Sequence, residues 1–303
     1  MEVAIIIVNY NSANDTKNCL SSLTNASFSG INHKIIIVDN GSKKPFSLIK
    51  NEINSHIELI RSEANLGFTG GNNLGISHAI KNYHPDYLLL LNNDTVVEPN
   101  FLTALIKAME KNPQAGLASS KIYFQKNREF HKKSYQRIQR GKILWYGGGS
   151  IDWANLAAFH RGVDEIDRGQ FDHQQISDFA TGCSLLIKRE IIEKVGILDK
   201  RYFLYFEDVD LSVRASKMGY QILFVPDSIV WHKNAGSSEG VGSRIHEYYQ
   251  TRNRLLFTFK HAKLRFKLTA IKLLLQNLSG PSDIKKKASM DFLTGQFGKQ
   301  TLI

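Results

Sequence analysis

Tyr87-Leu88-Leu89-Leu90-Leu91-Asn92-Asn93-Asp94 is the stretch on which the fold turns. Five apolar residues without internal alternation read as a strand covered on both faces, because a strand with one wet face alternates polar and apolar side chains. The run stops at two asparagines and an aspartate, and a helical pattern follows over Pro99–Lys111. Upstream, the same unit recurs. Val3–Val8 ends at Asn9-Tyr10-Asn11, before a helical pattern at Thr16–Leu23. Lys34–Val38 ends at Asp39-Asn40-Gly41-Ser42, and a helix is expected over Pro45–Asn54. Ile57–Ile60 leads into a loop rich in Gly and Asn, Asn65–Asn73, with a helix near Asn72–Lys81. Buried strands alternating with helices predict an α/β fold, Rossmann-like, with a mostly parallel sheet and helices on both faces. Ligands of such sheets bind at the loops leaving the carboxyl ends of the strands, and here all of those loops are rich in Asn, Asp or Gly.

Downstream, residues 121–142 are polar and basic and read as a surface excursion. Order resumes with a strand over Phe179–Lys188, a short helix at Arg189–Val195, a longer helix over Asp208–Met218 and a strand at Gln221–Pro226. Asn234–Ser243 is rich in Gly and Ser and reads as a mobile connector. One long helical pattern then runs from Tyr248 to Leu278. The expected division is a catalytic unit over residues 1–243 and a basic, amphipathic helical segment over residues 244–303. No internal repeat is present.

Composition narrows the function. In 303 residues, 42% apolar and 22% charged content is that of a globular chain, not of a disordered or collagenous one. The two cysteines, Cys19 and Cys183, make no disulfide framework and no Cys-x-x-Cys, which suits a reducing cytoplasm. No run approaches the ~20 apolar residues of a membrane span, and the amino terminus reads as a strand, not a signal peptide. The net charge of +11 is concentrated: residues 244–303 carry 12 Lys/Arg against 3 Asp/Glu, leaving only +2 for residues 1–243. An anionic partner for one segment, such as the inner face of the cell membrane, fits this better than nucleic acid bound by the whole body. Within the tail, Leu255, Phe259, Ala262, Phe266, Ala270 and Leu273 form one apolar stripe, and Phe257, Leu264, Leu268, Ile271 and Leu275 a second. Two stripes leave one for the body of the protein and one for a membrane surface or another subunit, the alternative being that both pack internally.

The chemistry-bearing residues stand in three places. Neither a P-loop nor a Gly-x-Gly-x-x-Gly occurs, and Gly236-Ser237-Ser238-Glu239-Gly240 lacks the strand and helix that a nucleophile elbow needs. Asp94, ending a buried strand, suits a divalent cation on a ligand's phosphates, or equally a turn capping the next helix. Glu207, Asp208 and Asp210 follow the aromatic run Tyr202–Phe206. They fit a helix amino terminus, with Asp210 and Arg214 paired one turn apart, or a general base at the rim beside an aromatic wall. His232 ends the following strand and is structural unless it converges on Asp94.

Taken in order, these residues resemble the inverting family-2 glycosyltransferases of the GT-A fold, in particular rhamnosyltransferase-like and galactofuranosyltransferase-like members. The resemblance covers roughly residues 3–240 and rests on Val8–Asn11, Val38–Ser42, Asn65–Asn73, Leu91–Asp94, Thr181–Cys183, Phe206–Arg214, Gly219-Tyr220 and Trp231-His232. It implies that Asp39 reads the nucleobase with Asn9 and Tyr10 nearby, and that Asn65, Gly71 and Asn72 belong to the donor site. Asn92 and Asn93 flank Asp94, which matches the last residue of an Asp-x-Asp metal motif; Asn92 departs from that motif. Asp208 matches the catalytic base with Glu207 beside it, and His232 a further ligand for Mg²⁺ or Mn²⁺. The implied reaction moves a sugar from a dTDP- or UDP-sugar, dTDP-rhamnose among them, to a hydroxyl of a surface glycan or lipid-linked acceptor. The competing readings are a sugar nucleotidyltransferase, which would show a basic Gly-rich loop after the first strand, and a non-catalytic adaptor binding membranes or polyanions through its tail.

Overall fold

The computed structural model describes residues 1–48, 55–234 and 242–302. The chain opens with strand β1 (Glu2–Asn9), helix α1 (Ala13–Thr24), β2 (Asn32–Asn40), β3 (Ile57–Ser62), α2 (Gly67–Tyr83), β4 (Tyr87–Leu91), β5 (Thr95–Val97) and α3 (Phe101–Lys111). It continues through β6 (Ala115–Phe124), β7 (Leu144–Tyr146), β8 (Gly149–Asp152), β9 (Ala157–His160), β10 (Gln175–Ile176), β11 (Ser184–Lys188), α4 (Arg189–Lys194), α5 (Glu207–Lys217) and β12 (Gln221–His232). Three helices complete the described chain: α6 (Arg244–His261), α7 (Leu264–Ser279) and α8 (Asp283–Leu293).

The main sheet runs β10-β12-β6-β11-β4-β1-β2-β3. Strands β3, β2, β1 and β4 are mutually parallel, as are β6 and β12, while β11 is inserted antiparallel between β4 and β6. This is the mostly parallel α/β sheet expected. One core lies on each face, one beneath α1 and α3 around Ile5, Leu89 and Leu105, the other beneath α2 and α5 around Ile6, Leu88 and Leu211. Leu88 to Leu90 are fully buried, and removing such side chains from water contributes about 1.5–3 kcal/mol each. Asn9 lies opposite Asp39 in the β1–β2 register, so the carboxyl ends of these strands share one edge of the sheet.

Several expectations are corrected. Asn65–Asn73 is not a loop for most of its length: α2 begins at Gly67. Its glycines are explained by packing, because a Cβ at Gly71 would come 2.7 Å from Val8 and one at Gly75 2.5 Å from Ile6. Helix and sheet approach more closely than side chains there would permit. The described part of Pro45–Asn54, residues 45–48, is not helical, and residues 49–54 lie outside the described residues, as does the Gly236–Gly240 motif. Residues 121–124 are not a surface excursion but the end of buried β6, where Lys121 pairs with Asp167 at 3.0 Å and Asp172 at 2.5 Å.

The long tail helix is two helices. The chain turns extended at Ala262 and Lys263, and α8 adds a third, capped by Ser282. Leu255, Ala262 and Ala270 of the first stripe are buried, with Phe259, Phe266 and Leu273 packed against that cluster. In the second stripe Phe257 joins the main core, but Leu264, Leu268, Ile271 and Leu275 are exposed. No described helix is long and apolar enough to cross a membrane.

Candidate active site

A cleft of about 680 Å³ opens at the carboxyl edge of the sheet, within the range of small-molecule sites. Its floor is Asn92-Asn93-Asp94, delivered there because β4 cannot continue its apolar run. Asn92 is anchored by its backbone N–H to the carbonyl of Cys183 at 3.0 Å. The Asn93 side chain donates to Thr16 Oγ1 at 2.9 Å, and that hydroxyl donates in turn to Asn9 Oδ1 at 2.9 Å. Asn9 donates to Asp39 at 3.1 Å, and Arg61 Nη1 reaches the same carboxylate at 2.6 Å. A continuous polar chain thus joins the ends of β4, β1, β2 and β3.

Asp94 and His232 converge. His232 Nε2 lies 3.0 Å from Asp94 Oδ1, both side chains 8% exposed. β12 puts the histidine there by pairing Thr95 of β5 opposite it. The Trp145 ring lies edge-on to His232, 4.5 Å between centroids. The backbone carbonyl of Trp145 accepts from His160 Nδ1 at 3.0 Å, and burial pushes the His160 imidazole down to about 4, so it is neutral. The pair offers one carboxylate and one imidazole, a donor set that divalent Mn²⁺ or Mg²⁺ accepts when a diphosphate supplies further oxygens. Among the described residues no group of three or more His, Cys, Asp or Glu side chains could hold an ion by itself.

The acidic cluster separates into three environments. Asp208, partly exposed on the cleft wall, accepts backbone N–H bonds from Gly182 and Val209, both at 2.8 Å. Burial raises its carboxyl while those amides oppose the rise. Glu207 is not at the rim as expected: it is 4% exposed, and its Oε2 has no hydrogen-bond partner among the described residues. Burial, and then the charge of Asp208, hold it well above the ordinary carboxylate range. Of these two adjacent carboxyls, Asp208 therefore keeps the negative charge and Glu207 the proton. Asp210 faces away, 2.7 Å from Arg214 and 2.7 Å from His261. Burial there is outweighed by its partners, which hold the carboxyl down at about 2.

Tyr10, Asn65 and Asn72 line the cleft with the floor residues. Asn9 and Asp39 do not; both are buried beneath it, and Gly71 packs against β1. Residues with no sequence signal to mark them also reach the site. Arg61, at the carboxyl end of β3, reaches it only through its pairing with Asp39 beneath the cleft. Trp145, His160 and the late residues Tyr249, Gln250, Lys299 and Gln300 line the cleft as well.

The sequence profile of Glycosyl transferase family 2 matches residues 4–196. The "Low-salt glycan biosynthesis hexosyltransferase Agl10" of Haloferax volcanii is 26% identical over 84% of this chain and 75% of its own length. The "N-acetylglucosaminyl-diphospho-decaprenol L-rhamnosyltransferase" of Mycobacterium tuberculosis is 26% identical over 77% of this chain and 76% of its own. Among solved structures, GalNAc-T7 with UDP, GalNAc and Mn²⁺ shares the fold with a TM-score of 0.60 at 17% identity. That similarity covers 92% of this chain, which spans 57% of the GalNAc-T7 chain.

Proposed function

The chain belongs to glycosyl transferase family 2, rhamnosyltransferase-like in its relatives, and from that premise we propose that it transfers a sugar from a dTDP- or UDP-sugar, with inversion, to a hydroxyl of a glycan or lipid-linked glycan. The observation that carries this reading is the convergence of Asp94, His232 and Asp208 on one cleft.

Asp208 is the base. Its carboxylate takes the proton of the acceptor hydroxyl as that oxygen attacks the anomeric carbon and the bond to the diphosphate breaks on the opposite face. The amides of Gly182 and Val209 hold the carboxylate in one orientation. Glu207, protonated, leaves Asp208 the one negative charge of the pair. Asp94 and His232 would hold a divalent cation, which would neutralise charge on the diphosphate leaving group. Mn²⁺ is favoured over Mg²⁺, because an imidazole ligand suits it better. Tyr10, Asn65 and Asn72, which line the cleft, are proposed to face the donor, and Asp39, buried beneath it and bound by Asn9 and Arg61, to read the base.

Residues 1–243 are proposed as the transferase unit and 244–303 as a membrane-facing segment at the cytoplasmic surface. Leu264, Leu268, Ile271 and Leu275 are exposed on α7, with Lys263, Arg265, Lys267 and Lys272 on or beside it. An apolar face with basic flanks suits shallow insertion among anionic headgroups, each basic residue contributing about 1 kcal/mol near the surface. Such docking would present the cleft to a lipid-linked acceptor. Thermal-shift screening of UDP- and dTDP-sugars with Mn²⁺ or Mg²⁺ tests the donor assignment, since a ligand of the folded state raises the melting temperature by mass action. Stabilisation by no nucleotide sugar under either ion would contradict it.

A further inference from the structure

Three aromatic residues of the loop before α5 sit where side chains are seldom found. Phe203, Tyr205 and Phe206 have φ of 63°, 68° and 72°, in the left-handed region that costs a residue bearing a side chain of the order of 1–3 kcal/mol. Such a backbone persists only where its surroundings determine it, and the hydrogen bonds of this loop show what does so. The carbonyl of Arg201 accepts from Arg252 Nη2 at 3.0 Å and from the Gly298 N–H at 2.9 Å. That of Tyr202 accepts from Arg252 Nη2 at 3.0 Å and Asn253 Nδ2 at 2.9 Å. The carbonyls of Leu204 and Tyr205 accept from Asn253 Nδ2 at 2.7 and 2.9 Å. The one between them, Phe203, accepts from the Thr69 N–H at 3.2 Å, at the start of α2.

Every carbonyl from 201 to 205 is thus held from outside the loop, four of the five by two neighbouring side chains of α6. Both are fully buried, and Arg252 is the largest fully buried side chain of the described chain. Its five N–H groups all go to neutral oxygens: Asn253 Oδ1 at 3.0 Å, the carbonyls of Gln296 and Gly298 at 3.4 and 2.8 Å, and the two loop carbonyls. The Tyr249 ring lies 4.9 Å from the guanidinium. A buried cation spent entirely on main-chain and amide oxygens orders backbone, at a desolvation cost that an ion pair would have offset. On the other side, a Cβ at Gly67 would overlap the Phe203 carbonyl and ring, so the loop is clamped between the donor-side helix α2 and α6. Phe203, Leu204, Tyr205, Glu207 and Asp208 all face the cleft.

We propose that Arg252 and Asn253 are positioning residues for sugar transfer, fixing the 201–206 loop that forms the acceptor-side wall of the cleft and aims Asp208. The inference rests on the reading of Asp208 as base. Residues 252 and 253 lie beyond the span that matches the family profile, so part of the site is built by the tail.

The test uses the full chain as wild type, Asn253→Ala, the milder Arg252→Lys, and Asp208→Asn as control. Turnover is read as nucleoside diphosphate released from UDP- and dTDP-sugars with alkyl glycosides as acceptors. UDP and dTDP binding is read by calorimetry, and order in the loop by hydrogen exchange of the 201–209 amides. The expected result for Asn253→Ala is a folded chain whose nucleotide affinity stays within about three-fold while kcat falls roughly 10²-fold, the cost of a reacting group displaced by an ångström. Loop exchange rises, and Arg252→Lys falls between this variant and wild type. Normal turnover in Asn253→Ala beside an inactive Asp208→Asn would overturn the inference and leave the base assignment standing. Normal turnover in Asp208→Asn would overturn the base assignment and, with it, the inference that rests on it. Unfolding of both α6 variants, or nucleotide affinity lost in step with kcat, would assign the two residues to the scaffold. Where no acceptor in the set is used, the exchange arm decides, and unchanged loop exchange in Asn253→Ala overturns the inference.

Discussion

His232 Nε2 and Asp94 Oδ1 stand 3.0 Å apart although 138 residues separate them in the chain. The contact exists because β12 ends where β5 begins, so a strand laid down late in the sequence brings an imidazole to the carboxylate after β4. Replacing either residue should therefore act on one property. Asp94→Ala and His232→Ala are expected to weaken UDP or dTDP binding in the presence of Mn²⁺, and to leave the weaker binding in chelator nearly unchanged. Calorimetric titration with and without the ion checks this, and an equal ion dependence in wild type and both variants would count against the assignment.

Glu207 gives a prediction about stability. Its carboxyl is raised by burial from the ordinary 4.5, so the folded state binds its proton more tightly than the unfolded chain does. The stability this group allows is complete below the unfolded value and is lost as pH rises. Glu207→Gln keeps the shape without the ionisable group. It should leave the melting temperature unchanged near pH 4.5 and raise it increasingly toward pH 8, where the variant should be the more stable by about 1–3 kcal/mol, the penalty of an unsatisfied buried group. Melting curves of the two proteins across that range should diverge on the alkaline side; divergence on the acid side would mean that Glu207 is ionised in the folded protein.

Helix α7 should bind anionic lipid. Co-sedimentation with phosphatidylglycerol vesicles is expected at low salt, falling as salt rises because charges at a surface are screened within about 10 Å at 0.1 M. Leu268→Glu, on the exposed face, should abolish it without changing nucleotide binding. Indifference of the full chain to anionic vesicles at low salt would give that face to a second copy of the chain.

Much of this was legible in the residues themselves. Leu88 to Leu91 announced a strand buried on both faces, and Asn92–Asp94 announced where it had to stop, so the sheet and its ligand edge followed from local pattern. The Gly/Asn-rich segment misled, because Gly67, Gly70 and Gly71 are poor helix formers; Gly71 is there to let α2 settle on Val8, a tertiary demand that propensity does not see. Periodicity ran through the break at Ala262-Lys263, where neither Gly nor Pro marks the end of a helix. Arg252 and Asn253 carried no signal of their own, since burial of a polar residue leaves no trace in the pattern. Contacts between distant segments, such as Asn93 to Thr16 or Asp39 to Arg61, had no local signal at all.

The measurement that bears most directly on the proposed reaction is the rate of sugar transfer by Asp208→Asn as a function of pH, beside wild type. Burial raises the Asp208 carboxyl above the ordinary 3.8, and the base must be ionised to work. Wild-type kcat should therefore rise with pH through a midpoint above the ordinary aspartate value. Asp208→Asn should lose that limb and roughly 10²–10⁴ in rate, the usual contribution of a positioned base, while still binding UDP or dTDP. Near-normal turnover by Asp208→Asn with the acid limb intact would contradict the account and move the base to another group.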